Sequence, residues 1–337
     1  MTLGWSSFFG DQFTDGDAGL IPMRIATVHR SRLAAYPPTA TGTSQPVKLV
    51  LPPQTNTQSF AVGDWVLIDP LTSTLMRRLE RRSLLQRRVD GGRGPQLIAA
   101  NVDTLFIVTS CNDDFNPARL ERYLALANEA QTTPVIVLTK ADHVDDTAPY
   151  IQQAAALQRA LSVVALNAKT PKAIGVLGRW CGSDQTVALV GSSGVGKSTL
   201  LNTLTGKQGD DAQQTGGIRE DDAKGRHTTT ARSLHTMASG GCVIDTPGMR
   251  TLHLGDVADG LDILFAEITE LAPQCKFRDC THGQEPGCAV QAAVRTGTLA
   301  SERLERWRKL NAENSDNTHV ETGARGNKVK QPRNKKR

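Results

Sequence analysis

The stretch Gly191-Ser-Ser-Gly-Val-Gly-Lys-Ser198 constrains this chain more than any other. It is entered from the apolar run Val187-Ala-Leu-Val190 and leaves into Thr199-Leu-Leu-Asn202. A strand that ends in G-x-x-x-x-G-K-S and reopens as a helix lets backbone N–H groups surround a diphosphate, because glycines permit close approach and left-handed turns. The expected nucleotide contacts run through Gly191, Ser192, Ser193, Gly194, Val195, Gly196, Lys197, Ser198 and Thr199. Lys197 is expected at the β and γ phosphates, and the Ser198 hydroxyl on Mg2+. A turn that merely joined strand to helix would not require glycine, lysine and serine together at this spacing.

Three further segments belong with that loop. Pro134-Val-Ile-Val-Leu138 reads as a buried strand and ends in Thr139-Lys-Ala-Asp142. In a loop of the form N/T-K-x-D the aspartate carboxylate accepts both the N1 and N2 hydrogens of guanine. Adenine offers no such pair, so Thr139, Lys140, Ala141 and Asp142 point to GTP rather than ATP. Thr139 replaces the commoner Asn, which is expected to alter loop support more than base choice. Residues 208–226 are polar and glycine-rich, a mobile switch ending in Gly225-Arg-His-Thr-Thr-Thr230, where Thr229 is expected to complete the Mg2+ shell. Cys242-Val-Ile-Asp-Thr-Pro-Gly248 is an apolar strand ending in D-x-x-G: Asp245 would hold a Mg2+-bound water and the Gly248 N–H would sense the γ-phosphate. A second base-contacting loop is due after Val163-Val-Ala-Leu166, but Asn167-Ala-Lys-Thr170 matches the usual Ser-Ala-rich form poorly.

The order of these segments is anomalous. In ordinary GTPases the phosphate loop comes first and the guanine loop last, whereas here residues 139–142 precede Gly191. The same sheet forms if the chain enters it at a different strand, since crossover handedness depends on the strand–helix units and not on where the termini lie. A circular permutation follows, and it joins the D-x-x-G segment directly to whatever lies C-terminal.

Residues 21 to about 90 are β-rich, with Met23-Arg-Ile-Ala-Thr-Val-His29, Val47-Lys-Leu-Val-Leu51 and Val62-Gly-Asp-Trp-Val-Leu-Ile68 as short strands, a spacing that suits an OB-type barrel. Arg77, Arg78, Arg81, Arg82, Arg87, Arg88 and Arg93 follow against only Glu80 and Asp90, a density of charge able to neutralise RNA phosphates. Thr104-Leu-Phe-Ile-Val-Thr109 reads as a buried strand and 117–130 as a helix. Near the C-terminus Cys275, Cys280, His282 and Cys288 offer three thiolates and one imidazole, a closed tetrahedral set for a structural zinc between helical stretches at 262–271 and 289–309. The net charge of +5 comes from the end of the chain: without the seven basic residues of 324–337, 32 basic residues face 34 acidic ones. That tail is expected to be disordered and open to a polyanion. The first residues, with Asp11, Asp15 and Asp17, carry no basic leader, and no run is long enough to span a bilayer; a cytoplasmic protein is expected.

The motif order, together with Leu84-Leu-Gln-Arg-Arg88, Gln96-Leu-Ile-Ala-Ala-Asn-Val-Asp103 and the Cys275–Cys288 segment, resembles the RsgA (YjeQ) family of circularly permuted GTPases over roughly residues 21–310. The resemblance implies a multidomain chain: an extension over 1–20, an OB-fold RNA-binding domain over 21–95, a permuted P-loop GTPase domain over 96–256, a helical zinc-binding domain over 257–312, and a disordered basic tail over 313–337. It also implies GTP hydrolysis to GDP stimulated by the small ribosomal subunit during its late maturation, with Mg2+ and one structural Zn2+, by a monomer bound to the subunit and its rRNA and not to membrane. Met249 stands where Ras-like enzymes carry a water-aligning Gln, so intrinsic turnover is expected to be slow, and His227 is the nearest titratable replacement. Two rival readings are a P-loop ATPase or kinase, in which residues 139–142 match by accident, and a non-enzymatic RNA-binding assembly factor with a structural nucleotide.

Overall fold

The computed structural model describes residues 3–39, 44–87, 95–207, 232–246, 252 and 254–318. Its elements begin with α1 (Ser7–Gly10), β1 (Ile21–His29), β2 (Arg32–Tyr36), β3 (Val47–Lys48), β4 (Trp65–Asp69), β5 (Thr74–Arg78), β6 (Leu84–Arg87) and β7 (Gln96–Ala100). An alternating stretch follows: β8 (Thr104–Ser110), α2 (Pro117–Glu129), β9 (Thr133–Thr139), α3 (Ala148–Ala155), β10 (Ser162–Ala165), α4 (Lys172–Leu177), β11 (Thr186–Val190), α5 (Lys197–Thr205), β12 (Ser233–Thr236) and β13 (Cys242–Asp245). The helices α6 (Ala258–Leu264), α7 (Ala266–Leu271), α8 (Ala289–Arg295) and α9 (Ser301–Asn317) close the described chain.

Strands β10, β9, β8, β11 and β13 lie side by side in that order and run parallel; β12 is antiparallel beyond β13. The chain thus enters this sheet at a middle strand, builds outward through β9 and β10, and returns to β11. The loops after β9 and after β11 consequently open on the same edge, the one made by the carboxyl ends of the strands, where α/β sheets bind ligands. Side chains alternate across the sheet. Leu105, Ile107, Ile136, Leu138, Ala188 and Val190 pack with Leu120, Leu124 and Ala127 of α2, while Phe106, Val108, Val135, Val137, Val187 and Leu189 pack with Leu177 of α4 and Leu200 and Leu204 of α5. The start of α2 is set locally: the Asn116 side chain accepts the Arg119 N–H, and Pro117 takes the first turn.

At the N-terminus β3, β2, β1, β4 and β5 pair antiparallel, and a bridge from Val50 to Thr74 joins the two ends of that series. The ring encloses Met23, Ile25, Leu33, Leu49, Val66, Ile68 and Leu75. β1 continues past β4 to meet β12, with Thr27 opposite Ser233 on one side and Ala34 of β2 on the other, so barrel and parallel sheet share hydrogen bonds rather than being separated by a linker. β6 and β7 form a hairpin of their own, and a domain limit between 95 and 96 falls inside it. Arg24, fully buried, ties these parts together: its guanidinium donates to the carbonyls of Leu3, Gly63 and Asn101 and to Thr186 Oγ1. The first residues are packed as well, with Leu3 and Phe9 buried and Trp5 edge-on to Trp65 at 4.7 Å between ring centroids.

Two expectations need correction. Arg77 pairs with Asp17 at 2.5 Å, Arg81 with Asp64 at 2.6 Å, and Arg82 with Asp103, so three of the arginines assigned to RNA phosphates are engaged in ion pairs, Arg81 within the barrel and Arg77 and Arg82 to the segments beside it. Arg88 and Arg93 fall outside the described residues. The chain from residue 313 was expected to be disordered, yet α9 runs on to Asn317 because Glu313 pairs with Arg122 at 2.6 Å and Asn314 Oδ1 accepts the Val257 N–H. Residues 319–337, including the basic tail, lie outside the described residues. No helix among those described is long and apolar enough to cross a membrane.

Candidate functional site

The phosphate-loop stretch begins under steric compulsion. Gly191 has φ +146°, and a Cβ there would stand 2.2 Å from the Val108 carbonyl oxygen, so the loop leaves β11 pressed against β8. Gly196, at φ +92°, starts α5 and lies against Thr139, whose Oγ1 would be 3.4 Å from an added Cβ. The Thr139 hydroxyl donates to the Val195 carbonyl at 2.6 Å, with the Thr109 carbonyl at 3.1 Å. One hydrogen bond therefore joins the loop at 139–142 to the loop at 191–198, across a sequence gap that runs opposite to the ordinary motif order. β8 alone separates their parent strands, which puts the two strand ends about 10 Å apart.

Lys140 adopts a left-handed conformation (φ +55°), Ala141 N–H donates to the Leu166 carbonyl at 3.4 Å, and Asp142 is left 40% exposed, its carboxylate 3.6 Å from His143 Nε2. The loop 167–170 stands beside it, fixed by Asn167 Oδ1 accepting the Lys169 N–H and by Thr203 Oγ1 donating to the Ala168 carbonyl at 2.6 Å. Its place after β10, the neighbour of β9, is what puts this loop next to the 139–142 loop.

Lys197 folds back along the loop, its Nζ donating to the carbonyls of Gly191 at 3.0 Å and Ser192 at 2.5 Å. Burial pushes its pKa down to about 8, while Asp245 and Asp114 pull it back up. Asp245 is buried at the end of β13, opposite Leu189, and Thr246 Oγ1 donates to the Leu189 carbonyl at 2.6 Å. Ser193 and Gly194 are exposed, and Ser198 and Thr199 are half-buried in the first turn of α5. A serine hydroxyl and a carboxylate on this one edge are hard oxygen donors that suit Mg2+. His227, Thr229, Gly248 and Met249 lie outside the described residues. Sequence motifs gave no sign of Arg119, whose Nη1 donates to Ser192 Oγ.

The second constellation is the Cys275, Cys280, His282 and Cys288 group, whose ligand atoms all lie within 4.8 Å of one another. His282 Nδ1 stands 3.6 Å from Cys275 Sγ and 3.5 Å from Cys288 Sγ, and the two sulfurs are 3.9 Å apart. A tetrahedron with zinc–sulfur and zinc–nitrogen bonds of ordinary length has edges of about 3.4–3.8 Å, so the donor set fits zinc. The surroundings orient the ligands: the Gln291 N–H donates to Cys288 Sγ at 3.4 Å, and the His282 carbonyl accepts from Gln291 Nε2 and from Arg308.

The RsgA GTPase family matches residues 78–255. The small ribosomal subunit biogenesis GTPase RsgA of Mesorhizobium japonicum is 65% identical over 335 residues, 99% of this chain and 95% of that protein. The chain belongs to the RsgA family of GTPases. The small ribosomal subunit biogenesis GTPase RsgA 2 of Vibrio vulnificus, also in this family, is 48% identical, covering 98% of this chain and 91% of its own length. Among solved structures, YjeQ from Thermotoga maritima is similar at 25% identity and a TM-score of 0.61, over 87% of this chain and 98% of that one. YloQ, a circularly permuted GTPase, is 24% identical with a TM-score of 0.62 over 90% and 98%, a likeness of fold. The chain is thus a circularly permuted GTPase, an enzyme that hydrolyses GTP, for which GTP, GDP and Mg2+ follow from the reaction.

Proposed function

We propose that this GTPase binds the small ribosomal subunit and its rRNA and hydrolyses GTP during late maturation of that subunit, in the cytoplasm and as a monomer. The observation that carries the site is the Thr139–Val195 hydrogen bond, which makes one cradle of two loops in permuted order. In this reading Asp142 accepts guanine N1–H and N2–H, Thr139, Lys140 and Ala141 shape that side, and the loop 167–170 covers the base from beside it. The amides of residues 191–199 surround the phosphates, Lys197 neutralises charge at the β–γ bridge, Ser198, Asp245 and Thr229 face Mg2+, and Gly248 reads the γ-phosphate. Bound Mg2+ would supply charge neutralisation at the phosphate oxygens. With Met249 in the usual Gln position, water alignment falls to another group, for which His227 is the candidate.

The N-terminal ring of strands serves, in this reading, as an OB-type RNA-binding barrel over 21–95. With Arg77, Arg81 and Arg82 engaged in ion pairs, the exposed basic residues of this unit without a carboxylate partner among the described residues include Arg30 and Arg32 at the β1–β2 tip, together with Lys48 and Arg78. The unit over 257–312 holds one structural zinc. GTP turnover measured with and without purified small subunits tests the proposal: stimulation by the small subunit supports it, and a rate unchanged by subunits over a range of salt concentrations would overturn it.

A further inference from the structure

Among the described residues the phosphate loop is held by side chains at both its halves, and the GTPase motifs account for one of them. Its closing half is held by Thr139 through the Val195 carbonyl. Its opening half is held by Arg119, in the first turn of α2. Arg119 Nη1 donates to Ser192 Oγ and lies 3.2 Å from Asp114 Oδ1, while Nη2 donates to the Asp114 carbonyl at 2.8 Å. The turn that carries Asp114 is itself fixed to the end of β8, because Asn112 Oδ1 accepts both Ser110 Oγ at 2.7 Å and the Asp114 N–H at 3.1 Å.

This placement does not serve the helix. A cation in the first turn opposes the helix dipole, so Arg119 gains nothing from α2 that a neutral residue would lack. It serves the loop. Ser192 is 3% exposed, and it binds two cations at once: its hydroxyl takes Arg119 and its carbonyl takes Lys197 Nζ at 2.5 Å. Turning the Ser192 peptide would carry the ammonium of Lys197 with it. The planar guanidinium is suited to this task, since its fork reaches two oxygens of Asp114 and the serine hydroxyl together, which a lysine cannot do. The other carboxylate oxygen, Asp114 Oδ2, is buried with no hydrogen-bond partner among the described residues, so the contacts of this side chain go to Arg119.

We propose that Arg119 is a positioning residue for GTP hydrolysis, holding the opening half of the phosphate loop through Ser192 so that Lys197 is aimed at the β–γ bridge. The proposal rests on the nucleotide reading of this loop. It assigns the two halves separable jobs, Thr139 retaining nucleotide and Arg119 supporting turnover. A misplacement of about 1 Å in a charge that acts in the transition state costs up to about a hundredfold in rate.

The test uses the full chain and the variants Arg119→Ala, Arg119→Lys, Ser192→Ala and the Arg119→Ala/Ser192→Ala pair. Single-turnover GTP hydrolysis, GDP affinity and thermal midpoint are read for each. Arg119→Ala is expected to lower the rate between about tenfold and a hundredfold with GDP affinity changed less than about threefold. Ser192→Ala, which removes one oxygen and leaves the fold undisturbed, is expected to act in the same direction, the double variant to be no worse than the worse single one, and Arg119→Lys to recover part of the rate. A rate within twofold of wild type for Arg119→Ala or Ser192→Ala, multiplying effects in the double variant, or a loss of GDP affinity equal to the loss of rate would each overturn the proposal. Wild-type binding separates the two readings: failure of the unmodified chain to bind GDP would remove the nucleotide reading itself.

Discussion

The nucleotide cradle and the cysteine–histidine cluster are both built from loops, but they are held in opposite ways. In the cradle each loop is secured by the protein's own hydrogen bonds: Thr139 to Val195, Thr203 to Ala168, Thr246 to Leu189, and Arg119 to Ser192. In the cluster the Cys275 and Cys288 sulfurs and the His282 imidazole face one another at 3.5–3.9 Å, with Cys280 completing a set that lies within 4.8 Å, flanked by the short helices α7 and α8. The first arrangement is organised in advance of its ligand, which is what fast discrimination between bases requires. The second gathers four donors whose spacing fits a metal, and a metal bound there would contribute folding free energy. Between them α2 makes a bridge. Arg119 faces the phosphate loop, Glu121 takes Arg303 and Arg306 of α9 at 2.9 and 2.8 Å, and Arg122 pairs with Glu313.

The largest contrast is expected on removal of metal. A strong chelator, or Cys288→Ser, is expected to expose the amides of 275–295 to hydrogen exchange while GDP affinity stays within about threefold. Equal loosening of both regions would erase the distinction. Next comes the bridge. Glu121 is 1% exposed, and Glu121→Gln leaves Arg306 without its carboxylate and Arg303 with Glu267 alone, an expected loss of about 2 kcal/mol in denaturant unfolding that loosens α9 before the cradle.

An effect of similar size concerns acid. His235 is half-buried between Lys207 Nζ, 3.4 Å from its Nδ1, and Ser233 Oγ, 2.8 Å from its Nε2, and desolvation with the nearby lysine pushes its pKa down to about 4. The folded state keeps this ring neutral while the unfolded chain protonates it near pH 6.5. No stability is lost above that pH, and roughly 2 kcal/mol is lost by pH 5. His235→Gln is expected to flatten that part of the stability profile and leave zinc content unchanged. The smallest effect belongs to Thr139→Val, which removes one bond within the cradle; GDP affinity is expected to fall about fivefold, near 1 kcal/mol, with no change in exchange at 275–295.

Much of the cradle was legible in the sequence because strand periodicity and fixed loop spacings are local signals. β8, β9 and β11 are long apolar runs, and the two loops sit at their ends. Asp245 and the four metal-type ligands were legible for the same reason, since spacing within a short segment carries the chemistry. What failed was pairing over distance. The arginines at 77, 81 and 82 are visible in the sequence, but their partners Asp17, Asp64 and Asp103 are supplied by the fold, and nothing local separates an arginine that meets RNA from one that closes an ion pair. Likewise β12 meets β1 across more than two hundred residues, and Arg119 meets Ser192 across 73. The helical run through Asn317 was hidden by a polar composition that α9 tolerates because Glu313 and Asn314 find partners in Arg122 and the Val257 N–H.

The central claim is that Asp142 and Lys197 serve one nucleotide despite their order in the chain. The most direct measurement is the base preference of Asp142→Asn, read by competition between GTP and XTP for a labelled nucleotide. An asparagine amide donates where the carboxylate accepted, so the variant is expected to lose GTP by about a thousandfold or more and to gain XTP, with Lys197 still required for turnover. Unchanged affinity for GTP in Asp142→Asn would contradict the account, because the guanine would then lie somewhere other than the loop that Thr139 ties to the phosphates.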